Sequence, residues 1–574
     1  NIEFVDNLFG DEENDPKLKG KSIISNENFT KIYKSVFSTC NLENKKCRDW
    51  SMESEIFNHD KKKKIFEYKN SWVKMWDQRL MFIPYFNHPD PTVKRKSGFL
   101  TPSWTNSEKL GRWIHIPYFK VISDDKDMTF NPRVYLEDKL ILQTEYRQAF
   151  REDTNLISDF SINHDGNNRS THLFANLDGK ISDTSSYELQ LQNVTNDKHL
   201  KLYNLQLTSP IIGSESSLTS YYKFKKEGKN KNTNELDYTL DLSTYLYESL
   251  GQKDSDKFQY VFPSFNYTKY VPISESYNGK FTFNSSGFQK NYETNKYETI
   301  ANNNFLFESY DFISDKGLQS NYDIKLRNLN SYAENSSNYE EKNDHDIFGI
   351  MMLQTSFPLK KEQDNSTNFL RPIASIKYSP NNTKDISSTG ARLDYSSVFS
   401  LNRIGSSNTV EGGRSLTLGL EFEKQNLNNE KILGFNLANV IKDRENKNLP
   451  SKSKLNQTRS DFVGEFDYSL NDVIDLSYKF SYDRDLHHSN YDSVASTFKV
   501  NNFITSFDYL TEHNDLDDKE ILTIKSSYDL NERSNLKFKT RKDLDKDFTE
   551  YYNLIYTYKT DCLEANFEYN KKYY

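Results

Sequence analysis

Residues 462 to 483 read as two strands with one apolar face each. Phe462, Gly464, Phe466, Tyr468 and Leu470 alternate with Val463, Glu465, Asp467 and Ser469. After a turn at Asn471-Asp472, Leu476, Tyr478, Phe480 and Tyr482 alternate with Ser477, Lys479, Ser481 and Asp483. A repeat of two sends successive side chains to opposite faces of a pleated strand, one greasy and one wet. The rhythm returns along most of the chain, in 140–150, in Tyr187, Leu189 and Leu191, and in Tyr552, Leu554, Tyr556 and Tyr558. An all-β fold is the expectation.

That pattern reconciles two facts of composition. Mean hydropathy is strongly negative, -0.85, yet Tyr and Phe number 38 and 39. No run approaches the roughly 18 apolar residues of a spanning helix. A transmembrane β-barrel needs only alternate residues toward lipid, in strands of about 9–11 residues, and places aromatics in interfacial girdles. A large soluble β protein fits the composition equally well.

The net charge of -8 argues against a nucleic-acid footprint, which wants a basic surface. The 61–64 lysine run reads as a solvated turn. Cysteines 40, 47 and 562 match no zinc spacing, with His59 a lone neighbouring candidate, so no metal site is expected. Their odd number leaves at least one free or paired outside this chain, and an oxidising compartment permits a bridge.

The chain divides near Lys94. Short strand-like segments with polar turns precede it. In 82–91, the prolines Pro84, Pro89 and Pro91 forbid a central strand, and together with Asp90 they are expected to form a rigid connector between domains. Beyond it, roughly 480 residues at about 20 per strand and loop give on the order of 24 strands. Asn278-Gly279 carries the signature of a two-residue hairpin. The polar stretches 330–344 and 442–457 read as loops or disorder.

At this point the chain resembles the lipopolysaccharide-assembly family of the Gram-negative outer membrane, LptD or OstA. One block is Ser38-Thr39-Cys40, then Trp50, then His59-Asp60. A second is Pro84-Tyr85-Phe86 and the run from His88 to Pro102. A third is Ile116-Pro117-Tyr118-Phe119 with Asp127-Met128-Thr129 and Pro132-Arg133. Arg371-Pro372 and Tyr378-Ser379-Pro380 precede a fourth, Phe399-Ser400-Leu401-Asn402-Arg403 and Val410-Glu411-Gly412-Gly413. The Asp-Pro-Thr-Val-Lys-Arg form is similar to the α-proteobacterial branch.

The resemblance implies a periplasmic β-jellyroll, its C-terminal part in 1–93, followed by an outer-membrane barrel in 94–574 of up to 26 strands. It implies that the start of the jellyroll and one last strand lie outside this chain. It implies transport rather than catalysis and no cofactor: lipopolysaccharide inserted into the outer leaflet, acyl chains by a lateral gate and sugars through the lumen. Pro102 and Pro117, lacking N–H donors, would flank that gate; read alone, they merely start one strand and end another. The family's disulfide would join Cys40 to Cys562, with Cys47 a substitute partner, a local one, or bonded elsewhere. The implied partners are lipopolysaccharide, an LptE-like lipoprotein plug, an LptA-like periplasmic bridge protein and outer-membrane lipid.

Weaker signals remain. Asn402, Arg403, Glu411, Gly412 and Gly413 are polar within strand territory and suit a lumen-facing charge network, or simple turn chemistry at the glycines. His164, His172 and Ser170 resemble a hydrolase dyad that nothing in the sequence orients. The competing readings are another outer-membrane transporter barrel (a porin or plugged receptor) or a soluble β adhesin.

Overall fold

The computed structural model describes the chain except residues 1, 6–16, 41–48, 91, 94, 101, 108–110, 137–138, 152, 165–168, 232, 254–255, 273–277, 471–472, 514–517, 561 and 573–574. Two antiparallel assemblies make up nearly all of it.

The first is a seven-stranded sheet ending at Pro89. Lys17–Gly20, Phe29–Ser38, Trp50–Asp60, Ile65–Met75 and Gln78–Pro89 lie side by side, rich in the aromatic and β-branched residues that fit a pleated surface. Alternate positions bury Leu18, Ile32, Phe37, Met52, Phe57, Phe66 and Tyr68 in one cluster, each large side chain stabilising by about 1.5–3 kcal/mol. Gln78–Pro89 is the sheet's edge, and Leu80 and Met81 there are 61% and 54% exposed. Pro84 and Pro89 therefore correct the sequence reading. They sit in an edge strand, where proline is tolerated, and the ladder skips Pro84 between Tyr85 and Ile83. The connection to the second assembly begins at Asp90, and Pro91 lies outside the described residues.

The second is a closed barrel of 29 strand segments from Gly98 to Lys572. Four staves are each broken into two segments: Gly98–Phe99 with Ser103–Ser107, Gly111–His115 with Tyr118–Ser123, Lys296–Ser309 with Phe312–Ile313, and Asp344–Ser356 with Leu359–Gln363. Each pair lines up against a shared neighbour. Among the described residues the segments thus trace 25 staves, within the 24–26 expected.

The expected two faces are present. On Ser366–Ser379, Ile373, Ser375 and Lys377 are buried while Ile376 is 57% exposed. Ile376 stands opposite Leu353 and Leu416, and Leu353 and neighbouring Leu418 are also exposed, so the outward positions form an apolar belt. Ring contacts Tyr238–Tyr267, Tyr267–Phe283 and Phe283–Phe305 run across successive strands. Val463 is buried among Leu393, Leu449 and Leu455 inside the wall, so Phe462, Phe466 and their partners Tyr482 and Tyr478 occupy the outward face.

The rim that meets the sheet carries short turns. The opposite rim carries the longest connections, 195–216, 380–412 and 443–461, and these fold inward. Leu200, Tyr203 and Leu205 pack on Trp113, Tyr135, Ile141 and Phe174 of the wall. Leu393, Val398 and Ile404 pack with Leu449 and Leu455 on Ala438 and Val440. Three sequence expectations are corrected here. Residues 330–334, 344 and 442 belong to strands, while 335–343 and 443–457 are loops as expected, the latter folded inward. Gly279 opens a strand rather than a two-residue turn, because the neighbouring ladder ends at Pro272 opposite Lys280.

Candidate functional site

The first hairpin of the barrel is interrupted at one height in both strands. Phe99 faces Tyr118, and pairing resumes only at Ser103 opposite His115. The gap holds Pro102 on one strand and Pro117 on the other. Neither ring nitrogen can donate, and each proline constrains the residue before it to extended backbone. Among the described residues one backbone bond crosses the break, from the Leu100 N–H to the Pro117 carbonyl at 2.9 Å. The wall closes where the last strand, Glu564–Lys572, adjoins Gly98–Phe99, a segment of two residues.

The sheet is fastened beside this closure. A disulfide joins Cys40 to Cys562, with Cα atoms 5.0 Å apart and a sequence separation of 522. Cys562 lies in the turn between Phe548–Lys559 and Glu564–Lys572. Cys40 is fully buried, its N–H donating to Ser38 Oγ, which in turn donates to the Trp50 carbonyl. Trp76 packs on Tyr558, ring centroids 6.1 Å apart. Cys47 lies outside the described residues.

The connector is tied at both ends. Asp90 is buried against His59 Nε2 at 3.1 Å and accepts from the Thr92 N–H and hydroxyl. Burial alone would raise the Asp90 carboxyl, but these partners hold it below its ordinary value. Arg95 donates to the Asp124 carbonyl and to Asp127, which also receives Arg147 Nε at 2.8 Å.

Inside the far rim, Glu411 is the centre of a buried ionic group. Arg403 reaches it through Nε and Nη2 at 2.7 and 2.6 Å, Lys377 at 2.5 Å and Lys442 at 3.4 Å. Arg403 also donates to Thr417 and Ser415. Burial would raise the Glu411 carboxyl; Arg403 and the two lysines drive it well below the usual range. Asn402 forms a turn with Ser406, and Gly412 packs so close to the Asn381 carbonyl that a Cβ would stand 2.0 Å from it. Gly413 takes φ +93°, open to glycine alone at no cost. These residues are not in strand territory: only Gly413 opens a strand, and the rest lie in the inward-folded connection.

The histidine pair indicated by the sequence is not the one assembled. Ser161 Oγ lies 2.5 Å from His172 Nδ1 and 2.8 Å from His199 Nε2, and Ser170 Oγ is 2.6 Å from His199 Nδ1. Asp159 stands 3.5 Å from His172. His164 is elsewhere and exposed. All members of the group are buried beneath the helix His199–Tyr203, so the arrangement fastens that helix to the wall rather than facing a substrate. Burial, reinforced by His172, lowers His199 to about 4 and keeps it neutral.

Sequence reasoning missed Lys377, Lys442, Asp159, Ser161 and His199. Lys377 carried a signal, since it falls in phase with Ile373 and Ser375 on the inward face. Lys442 ends a strand, and His199 lies in a connection, where no periodicity marks a direction.

Comparison with known proteins adds the following. A family model described as "LptD: LPS transport system D" matches residues 167–561. The LPS-assembly protein LptD of Pseudoalteromonas translucida is 32% identical over 116 residues, 20% of this chain and 15% of that relative. The LptD of Shewanella frigidimarina is 30% identical over 132 residues, 23% and 17% of the two chains. That of Idiomarina loihiensis is 22% identical over 276 residues, 46% and 34%. The matched stretches thus span well under two thirds of these relatives' lengths.

Proposed function

The chain belongs to the LptD family, and on that premise we propose that it is an outer-membrane translocon inserting lipopolysaccharide into the outer leaflet. The observation that carries this reading is the Cys40–Cys562 bridge, which fastens an apolar sheet to the turn that feeds the barrel's closing strand.

The chemistry of the cargo explains why those parts belong together. Its acyl chains gain about 0.8 kcal/mol per methylene in hydrocarbon, whereas its sugars cost several kcal/mol there unless solvated. The sheet, read as the end of a periplasmic jellyroll in residues 1–93, delivers the chains at the foot of the wall. The barrel of 94–574 gives the sugars a hydrated interior. The lateral gate lies at the Gly98–Phe99 edge of the barrel's first hairpin, which Pro102 and Pro117 weaken. The Arg403–Glu411 group holds the 380–412 connection across the far mouth. A lipoprotein plug of the LptE kind supports the lumen, and a bridge protein of the LptA kind feeds the sheet by edge pairing.

Depletion tests this. A Gram-negative host losing its own protein and expressing this chain is predicted to deliver newly made lipopolysaccharide to its surface. Folded, membrane-inserted chain that leaves lipopolysaccharide undelivered, where the host's own protein expressed in the same way restores delivery, would reject the transport reading.

A further inference from the structure

We propose that, once the Cys40–Cys562 bridge is opened, its two sulfurs and the carboxylate of Asp49 form a binding site for a thiophilic divalent cation such as zinc. The site goes beyond the transport reading and does not depend on it.

Cys40 Sγ, Cys562 Sγ and an Asp49 oxygen all lie within 4.8 Å of one another. Asp49 Oδ2 is 3.9 Å from Cys562 Sγ. Zinc holds sulfur at about 2.3 Å and carboxylate oxygen at about 2.0–2.2 Å in a tetrahedron, which sets adjacent donors roughly 3.5–3.7 Å apart. The Asp49–Cys562 edge already has nearly that length. Release of the covalent bond lets the two sulfurs separate to the other edge with little movement of either backbone.

The surroundings favour a cation over none. Cys40 and Asp49 are buried, and Cys562 is half-buried. Two thiolates beside a buried carboxylate would repel one another strongly in so dry a place. A shared metal ion relieves that repulsion, and zinc is among the metals that thiolate ligands select. Three protein ligands leave one tetrahedral position, on the open side of Cys562, for water.

A dithiol reductant opens the bridge, transferring two electrons and two protons, and becomes a disulfide itself. Zinc then displaces the two thiol protons. Since the bridge and the ion use the same two sulfurs, they exclude one another, and closure requires the ion to leave. Zinc is thereby a brake on joining the sheet to the barrel.

Cobalt(II) is the probe. The full chain in detergent is reduced, freed of reductant without oxygen and titrated with cobalt. The expected result is thiolate-to-cobalt charge-transfer absorption with tetrahedral d–d bands. The bands should vanish in Cys562→Ser, persist in Cys47→Ser, and need at least about tenfold more cobalt in Asp49→Asn, which lacks one ligand. Zinc should slow reoxidation of the bridge at least tenfold. Each variant is first checked for heat-modifiable migration. If Asp49→Asn does not fold, the spectra of the parent chain and Cys562→Ser still decide. No bands in the parent, bands surviving in Cys562→Ser, or bands lost in Cys47→Ser would each overturn the proposal.

Discussion

Arg403 grips Glu411 in a fork, Nε to Oε2 at 2.7 Å and Nη2 to Oε1 at 2.6 Å, with both side chains shut away from water. The pair, eight positions apart in sequence, closes a turn at the C-terminal end of one inward-folded connection, and Lys377 and Lys442 bind it to the wall on either side. One carboxylate therefore serves three buried cations.

Removal of that carboxylate should be severe. Glu411→Gln leaves three cations without their counter-charge, and breaking a buried pair costs about 3–5 kcal/mol. Barrels carrying it should lose heat-resistant migration at lower temperature, and cells should admit large antibiotics normally excluded. A melting profile equal to the parent's would show that the group is not a fastening.

The same group should tolerate mild acid. Glu411 is held well below the usual carboxylate range, so its stabilisation is complete above the unfolded value and is lost only as pH falls through the depressed one. Thermal unfolding in detergent should show no loss assignable to Glu411 between pH 7 and 5, taken as the difference from Glu411→Gln.

His199 should behave differently. Its value falls from 6.5 to about 4 because the buried imidazole is held neutral. Over that interval the unfolded segment binds the proton and the folded one does not. The stabilisation is therefore whole above pH 6.5 and is lost as pH falls toward 4, by about 3 kcal/mol for a shift of this size. Hydrogen exchange in 195–208 should quicken across this window, and His199→Phe should flatten the response.

Much of this architecture could be read from the alternation in 462–483, because a period of two specifies both the strand and its two faces. The breaks at Pro102 and Pro117 were legible too, since a missing N–H acts locally. The inward connections were not. The polar residues of 443–461 look like solvent-facing loop until Leu449 and Leu455 find Val440 and Val463 across the wall. The grouping of Lys377 with Glu411, 34 residues apart, is likewise a product of tertiary contact, as are the partners of His199.

Restoring the missing donors should firm the hairpin that borders the seam. Pro102→Ala and Pro117→Ala each return an N–H to the first hairpin, where a ladder bond is worth about 1 kcal/mol net. The double variant should fold normally, resist heat at least as well as the parent and deliver lipopolysaccharide to the surface more slowly. Unaltered delivery with a firmer hairpin would separate the prolines from the gate.

The most direct measurement places a photoreactive residue at Phe99, in the two-residue segment that meets the last strand, in growing Gram-negative cells that depend on this chain. Illumination is predicted to attach newly made lipopolysaccharide there, and the adduct should disappear when synthesis of that lipid is halted. Normal arrival of lipopolysaccharide at the surface with no adduct at Phe99 would contradict passage through the seam.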